Sequence, residues 1–469
     1  MMQFSTNKSR WGIATTLFYL VFSALVTTSN QTNIPSPAKG VPLQIDIRKG
    51  VVSRIPIAFL GFQLIGSDID IGSVVENDLR LSGAFSILPN HSMGQRDEDA
   101  LIAPNLFLWQ PYSGAMVVQG NINTNGDIIS VELKMYDATL NKLLKTGSIY
   151  ANITEWRSLA HLISNAIYYE LTGEKGIFDT QIVFVAQSGT SMKPISRIAI
   201  IDQDGANFKY ITSADEYCHT PKTSPVSPNI AYAFFKKRRS MLRMHNLATG
   251  QKSVLPIKGI GISSDFSSNG RDILLSDSCN GSATLRVYDM TTGGTRQLNQ
   301  AYGGIAVSPS YAPDGQSFVV SSDQNLANIS AGIKSGIGAP KLYVVQQNTG
   351  AARLISQGSG SYLCPSWSPD GQYIAFVKRS RGNYYIGVMN TDGTGERMLA
   401  SDHVIDYPSW APNSRMLIFA AQQRRFGPFS LFIVDLTGRS LRKLPTLFQG
   451  SVQAAKHPSW RSYKAKQRG

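Results

Sequence analysis

Two regimes of hydrophobic patterning divide the chain. Between residues 42 and 175 the apolar positions recur with mixed periods. Residues 43–48 alternate apolar and polar, and 55–62 form a nearly continuous apolar run, as a buried strand does. Ile71, Val75 and Leu79 recur every fourth position, which predicts a helix capped by Asp68 and stopped by Gly83. Trp156, Leu159, Ile163, Ile167 and Leu171 predict a second helix, with Asn152 and Glu155 at capping-box spacing and Gly173 at its end. Strand-like runs at 116–120, 128–136 and 148–153 lie between them, so 42–175 reads as a small α/β or α+β domain.

From 176 to 469 the pattern becomes short apolar strands repeated at a fixed interval. Turns follow Pro309-Ser310-Tyr311-Ala312-Pro313-Asp314-Gly315, Pro365-Ser366-Trp367-Ser368-Pro369-Asp370-Gly371 and Pro408-Ser409-Trp410-Ala411-Pro412-Asn413, with weaker copies at 221–227, 264–270 and 458–460. The aromatic position falls at 223, 266, 311, 367, 410 and 460. A second series, Asp202, Asn246, Asp289, Gln346, Asn390 and Asp435, each ahead of a glycine-bearing turn, keeps step with it. Both series place one long step at the Gly/Ser-rich stretch 322–340. Four short strands per unit of 40 to 50 residues make a propeller blade, and six units make an all-β six-bladed β-propeller. The last unit ends after Pro458-Ser459-Trp460, while the first opens on the strand 182–186 with no inner strand before it. Each supplies what the other lacks, so one blade built from both ends closes the circle and removes an exposed edge.

The repeat also assigns chemistry to faces. In a four-stranded meander the first and third turns share one face, and the second turns and the links between blades share the other. Pro, Asp and Gly in the first turns serve the backbone, through a fixed φ, a side-chain bond to the chain and a positive φ. The tryptophans fit packing between blades. The second turns hold Lys236, Lys237, Arg238 and Arg239, then Lys378, Arg379 and Arg381, then Arg424 and Arg425. Residues expected just before the inner strands, at the channel mouth on that face, are His219, Ser263, Ser308, Cys364, Tyr407 and His457.

Composition sharpens this. Of 469 residues 42% are apolar and 16% charged, which excludes a mostly disordered chain. The net charge of +14 is unevenly spread: residues 1–179 hold 13 Lys/Arg against 15 Asp/Glu, and the remainder 32 against 16, so the basic excess belongs to the propeller. A basic rim fits an acidic partner. The three cysteines, Cys218, Cys279 and Cys364, lack the spacing of a disulfide framework or a zinc site.

Lys8 and Arg10 precede an apolar run at 11–26 and a small polar stretch, the pattern of a secretory signal over 1–29, followed by a flexible leader over 30–41. No later run is long enough to span a bilayer. No HExxH, P-loop or GxSxG elbow appears, so no catalytic, metal or cofactor site is expected. A propeller-bearing hydrolase or glycan-processing enzyme is the alternative, and it requires acidic or nucleophilic side chains converging in the channel. Export and the lack of aromatics interleaved with basic residues argue against nucleic acid.

One family carries this combination. The segment Ile45-Asp46-Ile47-Arg48-Lys49-Gly50, the stretch from Asp70-Ile71-Gly72 to Ser82-Gly83-Ala84-Phe85, and the junction Leu171-Thr172-Gly173-Glu174-Lys175-Gly176-Ile177-Phe178-Asp179-Thr180 ahead of six blades resemble the TolB family of the Tol-Pal envelope system. The resemblance implies a periplasmic, non-enzymatic scaffold of the Gram-negative envelope without cofactors. It would bind the lipoprotein Pal on the propeller face and TolA through the N-terminal segment, with occupancy of one site affecting the other. Other envelope proteins are further possible partners. The TolA segment would be Leu43, Gln44, Ile45, Asp46, Ile47 and Arg48, and the channel-mouth and basic-turn residues would face Pal.

Overall fold

The computed structural model describes residues 54–60, 69–88, 104–190, 192–236, 239–256, 260–279, 282–298, 306–324, 337–445 and 452–462. The signal and leader regions, the segment Leu43 to Arg48, Lys237 and Arg238, and most of the 322–340 insertion lie outside the described residues.

The N-terminal sheet has the order β2-β1-β3-β4-β5, formed by β1 (Ile55–Leu60), β2 (Phe85–Leu88), β3 (Met116–Asn125), β4 (Ile128–Asp137) and β5 (Lys142–Asn152). β1 lies parallel to both neighbours, and the rest is an antiparallel meander. Helices α1 (Ile71–Leu81) and α2 (Trp156–Thr172) cover one face, burying Ile71, Val75, Leu79, Leu159, Ile163 and Ile167 against Ile57, Val118 and Val131. This is the predicted apolar stripe. The caps differ from expectation. Asp70, not Asp68, caps α1 by accepting from Ser73 N at 2.9 Å, because the helix starts at Ile71. Asn152 caps the short 3-10 turn Ile153–Glu155 ahead of α2, accepting from Thr154 N, and no capping box forms at Glu155. Gly173 ends α2 at φ +74°, the left-handed stop the sequence predicts.

Six four-stranded sheets follow, each an antiparallel meander. Blades 1 to 5 begin on the inner strands Tyr217–Thr223, Ile260–Phe266, Ala306–Tyr311, Ser361–Trp367 and Val404–Trp410. Blade 6 takes its inner strand, Ala454–Ser462, from the end of the chain and the other three from Thr180–Thr190, Lys193–Asp202 and Lys209–Tyr210. Trp460 pairs with Ile182 and Ala455 with Ala186, so the ring closes as the sequence implies.

The repeated residues bind neighbouring blades. Ser310 Oγ accepts from Trp367 N at 3.1 Å, Ser409 Oγ from Trp460 N at 2.9 Å and Ser459 Oγ from Thr223 N at 3.1 Å. Asp265 does the same for Tyr311 N at 2.9 Å. Trp410 Nε1 donates to Ser366 O at 2.8 Å and its ring stacks on Tyr373 of the preceding blade. In the triplets of blades 3, 5 and 6 the serine side chain thus reaches the next blade, while in blade 4 the contact is made by the Ser366 carbonyl, a role visible in the repeat but not read from it.

Candidate functional site

The N-terminal domain sits on the face formed by the first and third turns. Asn413 Nδ2 donates to Lys175 O at 3.1 Å, Arg415 pairs with Glu174 at 2.9 Å, and Gly83 lies so close to blade 5 that a Cβ there would stand 2.3 Å from Ser440 Oγ. At the centre of this junction is a buried polar cluster. His161 Nδ1 of α2 lies 2.7 Å from Asp78 Oδ2 of α1, and Gln203 Nε2 of the blade 6 third turn donates to Asp78 Oδ1 at 2.9 Å. Asp204, next in that turn, hydrogen-bonds Arg157 and stands 3.9 Å from His161 Nε2. Burial works against the His161 cation, yet the hydrogen bond and charge of Asp78, with Asp204 beyond, leave its pKa raised. Burial pushes Asp179, which accepts from Ser158 Oγ, up to about 6, and Arg442 down to about 10. Asp78, His161 and Asp204 could converge on a cation, their ligand atoms within 4.8 Å of one another. The carboxylates are already held by Gln203 and Arg157, with the Arg442 charge nearby, so the cluster is a lock between domains rather than a cation site.

The opposite face carries the second turns, and among the described residues nothing of the N-terminal domain reaches it. Lys236, Arg239, Arg381, Arg424 and Arg425 are exposed there, and Arg379 is half-buried with its guanidinium over the Tyr384 ring. Lys378 departs from expectation: its Nζ donates to Glu396 Oε1 at 2.7 Å, and Tyr362 Oη donates to the same carboxylate, which draws it into blade 4. The links on this face add Asp215 and Asp402, so the rim is basic but not uniformly so.

The channel residues stand deeper than expected. They lie midway along the inner strands, where each blade but the second carries a bulge at an X-Pro step. Thr220, Ser308, Cys364, Tyr407 and His457 have φ between +45° and +53°, and with their prolines two residues face one on the second strand. The single residues opposite are Tyr232, Val320, Phe376, Phe419 and Phe184, all fully buried or nearly so. A left-handed residue ahead of proline is costly, and five repetitions show a ring-wide device that turns the X side chain into the channel. Ser308, Cys364, Tyr407 and His457 therefore line it, together with Lys222 and Ser264, around a void of about 410 Å³ that includes space open to solvent. His219 does not. In its blade the residue at the X-Pro step that lines the channel is Thr220, and His219 is buried against Phe235, its pKa pushed down to about 3 by burial. Ser263 belongs to an inner strand whose side chain there lies outside the described residues.

Cys364 Sγ lies 3.7 Å from Asp406 Oδ1, and His457 Nε2 3.6 Å from Asp406 Oδ2. This is not a nucleophile's arrangement. The histidine meets the carboxylate rather than the thiol, and burial drives the thiol pKa far up, so the sulfur stays protonated at neutral pH.

The comparisons with known proteins decide the family. Residues 43–144 match the TolB amino-terminal domain and residues 168–464 the TolB beta propeller domain. The chain belongs to the TolB family. It is 32% identical over 380 residues to the Tol-Pal system protein TolB of Gluconobacter oxydans (strain 621H), covering 81% of this chain and 80% of that protein. The crystal structure of TolB from Acinetobacter baumannii superposes with a TM-score of 0.76 at 25% identity, covering 89% of this chain and 99% of that one. TolB membership makes the chain a non-enzymatic component of the Tol-Pal system. No helix among the described residues is long and apolar enough to cross a membrane.

Proposed function

We propose that this chain is a periplasmic docking scaffold that receives Pal reversibly on the second-turn face of its propeller and TolA through Leu43 to Arg48. In this reading it is exported by its first 29 residues and supports outer-membrane integrity and invagination during division. The observation carrying it is the division of faces. The N-terminal domain occupies the turns around Gln203, Asn413 and Ser440, while among the described residues nothing of that domain covers the face with Arg379, Arg381, Arg424 and Arg425 beside the channel. Exposed charges of one sign speed encounter and select a partner of opposite sign.

The test is a titration with the purified soluble domain of Pal across a range of salt. Reversal of Lys236, Lys237, Arg379 and Arg425 to glutamate is expected to weaken binding and flatten its salt dependence. Affinity unchanged by the reversal removes the electrostatic docking face. Removal of 43–48 is expected to abolish TolA binding while leaving Pal binding measurable, and TolA capture by the shortened chain overturns that assignment.

A further inference from the structure

Phe426 and Met192 are the two most exposed large hydrophobic residues among those described, at 88% and 91%. They occupy the second turns of blades 5 and 6, which are neighbours in the ring, on the face that none of the described residues of the N-terminal domain reaches. Scattered exposed apolar residues need no explanation, but these two top the order of exposure and stand on adjacent turns of one face.

The Phe426 turn is built to hold its ring in water. Phe426 has φ +63°, a conformation a bulky side chain avoids, and the turn is fixed by Gly427 N donating to Arg424 O at 2.9 Å and by Gln422 Nε2 donating to Gly427 O. At 88% exposure the aromatic buries little area at that place, and glycine would adopt the same backbone without strain. Arg424 and Arg425 flank the ring, with the Arg425 guanidinium 5.2 Å from its centroid, and exposed Lys193 follows Met192.

We propose that Phe426 and Met192, with Arg424, Arg425 and Lys193 around them, are the apolar anchor of the partner-docking face, taking an acidic protein surface that has an apolar cleft between its carboxylates. This rests on the docking reading above and adds its contact chemistry. Buried aromatics carry a large share of interface energy, methionine adapts to an irregular cleft, and the arginines steer and rim the contact. The basic excess of the propeller supplies the charge complement. A lipid surface fits less well. Two side chains bury little area in a bilayer, and a rigid, strained turn suits a shaped cleft rather than a fluid one.

The experiment titrates the full mature chain with the soluble domain of Pal at fixed salt, and separately with vesicles of phosphatidylcholine containing anionic phosphatidylglycerol. Phe426→Gly is expected to lower Pal affinity roughly 10- to 30-fold with thermal stability kept or raised, and Met192→Ser a smaller amount. Phe426→Trp is expected to restore most of the affinity. None of these three variants should alter the salt slope, whereas Arg424→Glu with Arg425→Glu should flatten it. Wild-type affinity in Phe426→Gly and Met192→Ser overturns the anchor while the docking reading stands. Failure of the unmodified chain to bind Pal overturns both. Binding to the anionic vesicles that is lost in Phe426→Gly, with Pal binding unaffected, overturns the protein cleft in favour of a lipid surface.

Discussion

Trp460 Nε1 donates to Thr180 Oγ1 at 2.8 Å, a hydrogen bond between residues 280 positions apart. Both groups are buried, and both belong to the blade assembled from the two ends of the propeller. The bond therefore fastens the circle at the one place where the chain itself does not. Trp460→Ala removes the ring, the hydrogen bond and packing against the Ile182 strand, so a loss of about 3–5 kcal/mol is expected. Thr180→Val keeps the volume and loses one buried bond, for about 1–2 kcal/mol. Urea unfolding followed by tryptophan fluorescence and circular dichroism checks both, and equal stability of Trp460→Ala and the parent chain refutes closure at this seam.

The junction between domains should loosen as the medium becomes alkaline. His161 holds a proton more tightly in the folded chain than at its ordinary value of 6.5, so its contribution is full below that pH and disappears as pH rises through the raised folded value. Asp179 is pushed up from 3.8 to about 6 by burial. Its folded form also binds the extra proton, and stability is lost between those two values as pH rises. The two effects have the same sign. Asp179→Asn imitates the protonated acid and keeps an acceptor for Ser158, so it should match the parent near pH 4 and raise the melting temperature by a few degrees at pH 7.5, for at most about 3 kcal/mol. Melting curves from pH 4 to 8 decide it; a variant that tracks the parent at every pH removes Asp179 from the account.

Much of the ring was legible because its information is local and repeated. Pro-Asp-Gly turns, the Asp or Asn ahead of each glycine-bearing turn and the alternating strands need only neighbours a few residues away. The unequal ends revealed closure for the same reason. What failed were contacts set by register. Blade 1 has Lys222-Thr223 where blades 4 to 6 have Ser-Trp, so the repeat is weak there and points to His219, whereas the X-Pro dipeptide itself marks Thr220. Lys378 looked free because Glu396, its partner, comes from the turn beyond the third strand of the blade. The Asp78, His161 and Asp204 cluster joins three elements from two domains, and no local pattern announces it.

That cluster predicts energetic coupling across the domain boundary. Asp78 is fully buried and accepts from both His161 and Gln203, so Asp78→Ala strands two buried polar groups and should cost about 3–5 kcal/mol. Gln203→Ala alone should cost about 1 kcal/mol. The double variant should fall short of the sum by up to about 1 kcal/mol, because removing Asp78 already removes the partner of Gln203. A urea-unfolding cycle measures this, and strict additivity would show that the helix and the blade turn are held independently.

Thiol reactivity tests the packing of the channel wall. Burial pushes Cys218 up to about 12 and Cys364 further, and both side chains lie inside the propeller. Only the thiolate alkylates, so at pH 8 the native chain offers almost none at either sulfur. In a Cys279→Ser background, iodoacetamide should modify neither residue in the native state within hours and both within minutes in urea, as read by intact mass. Cys364 is the sharper case, because it lines the channel and its left-handed backbone places the sulfur beside Asp406. Rapid native alkylation at Cys364 alone would mean that the channel admits solvent to the bulge and that burial does not hold the thiol protonated.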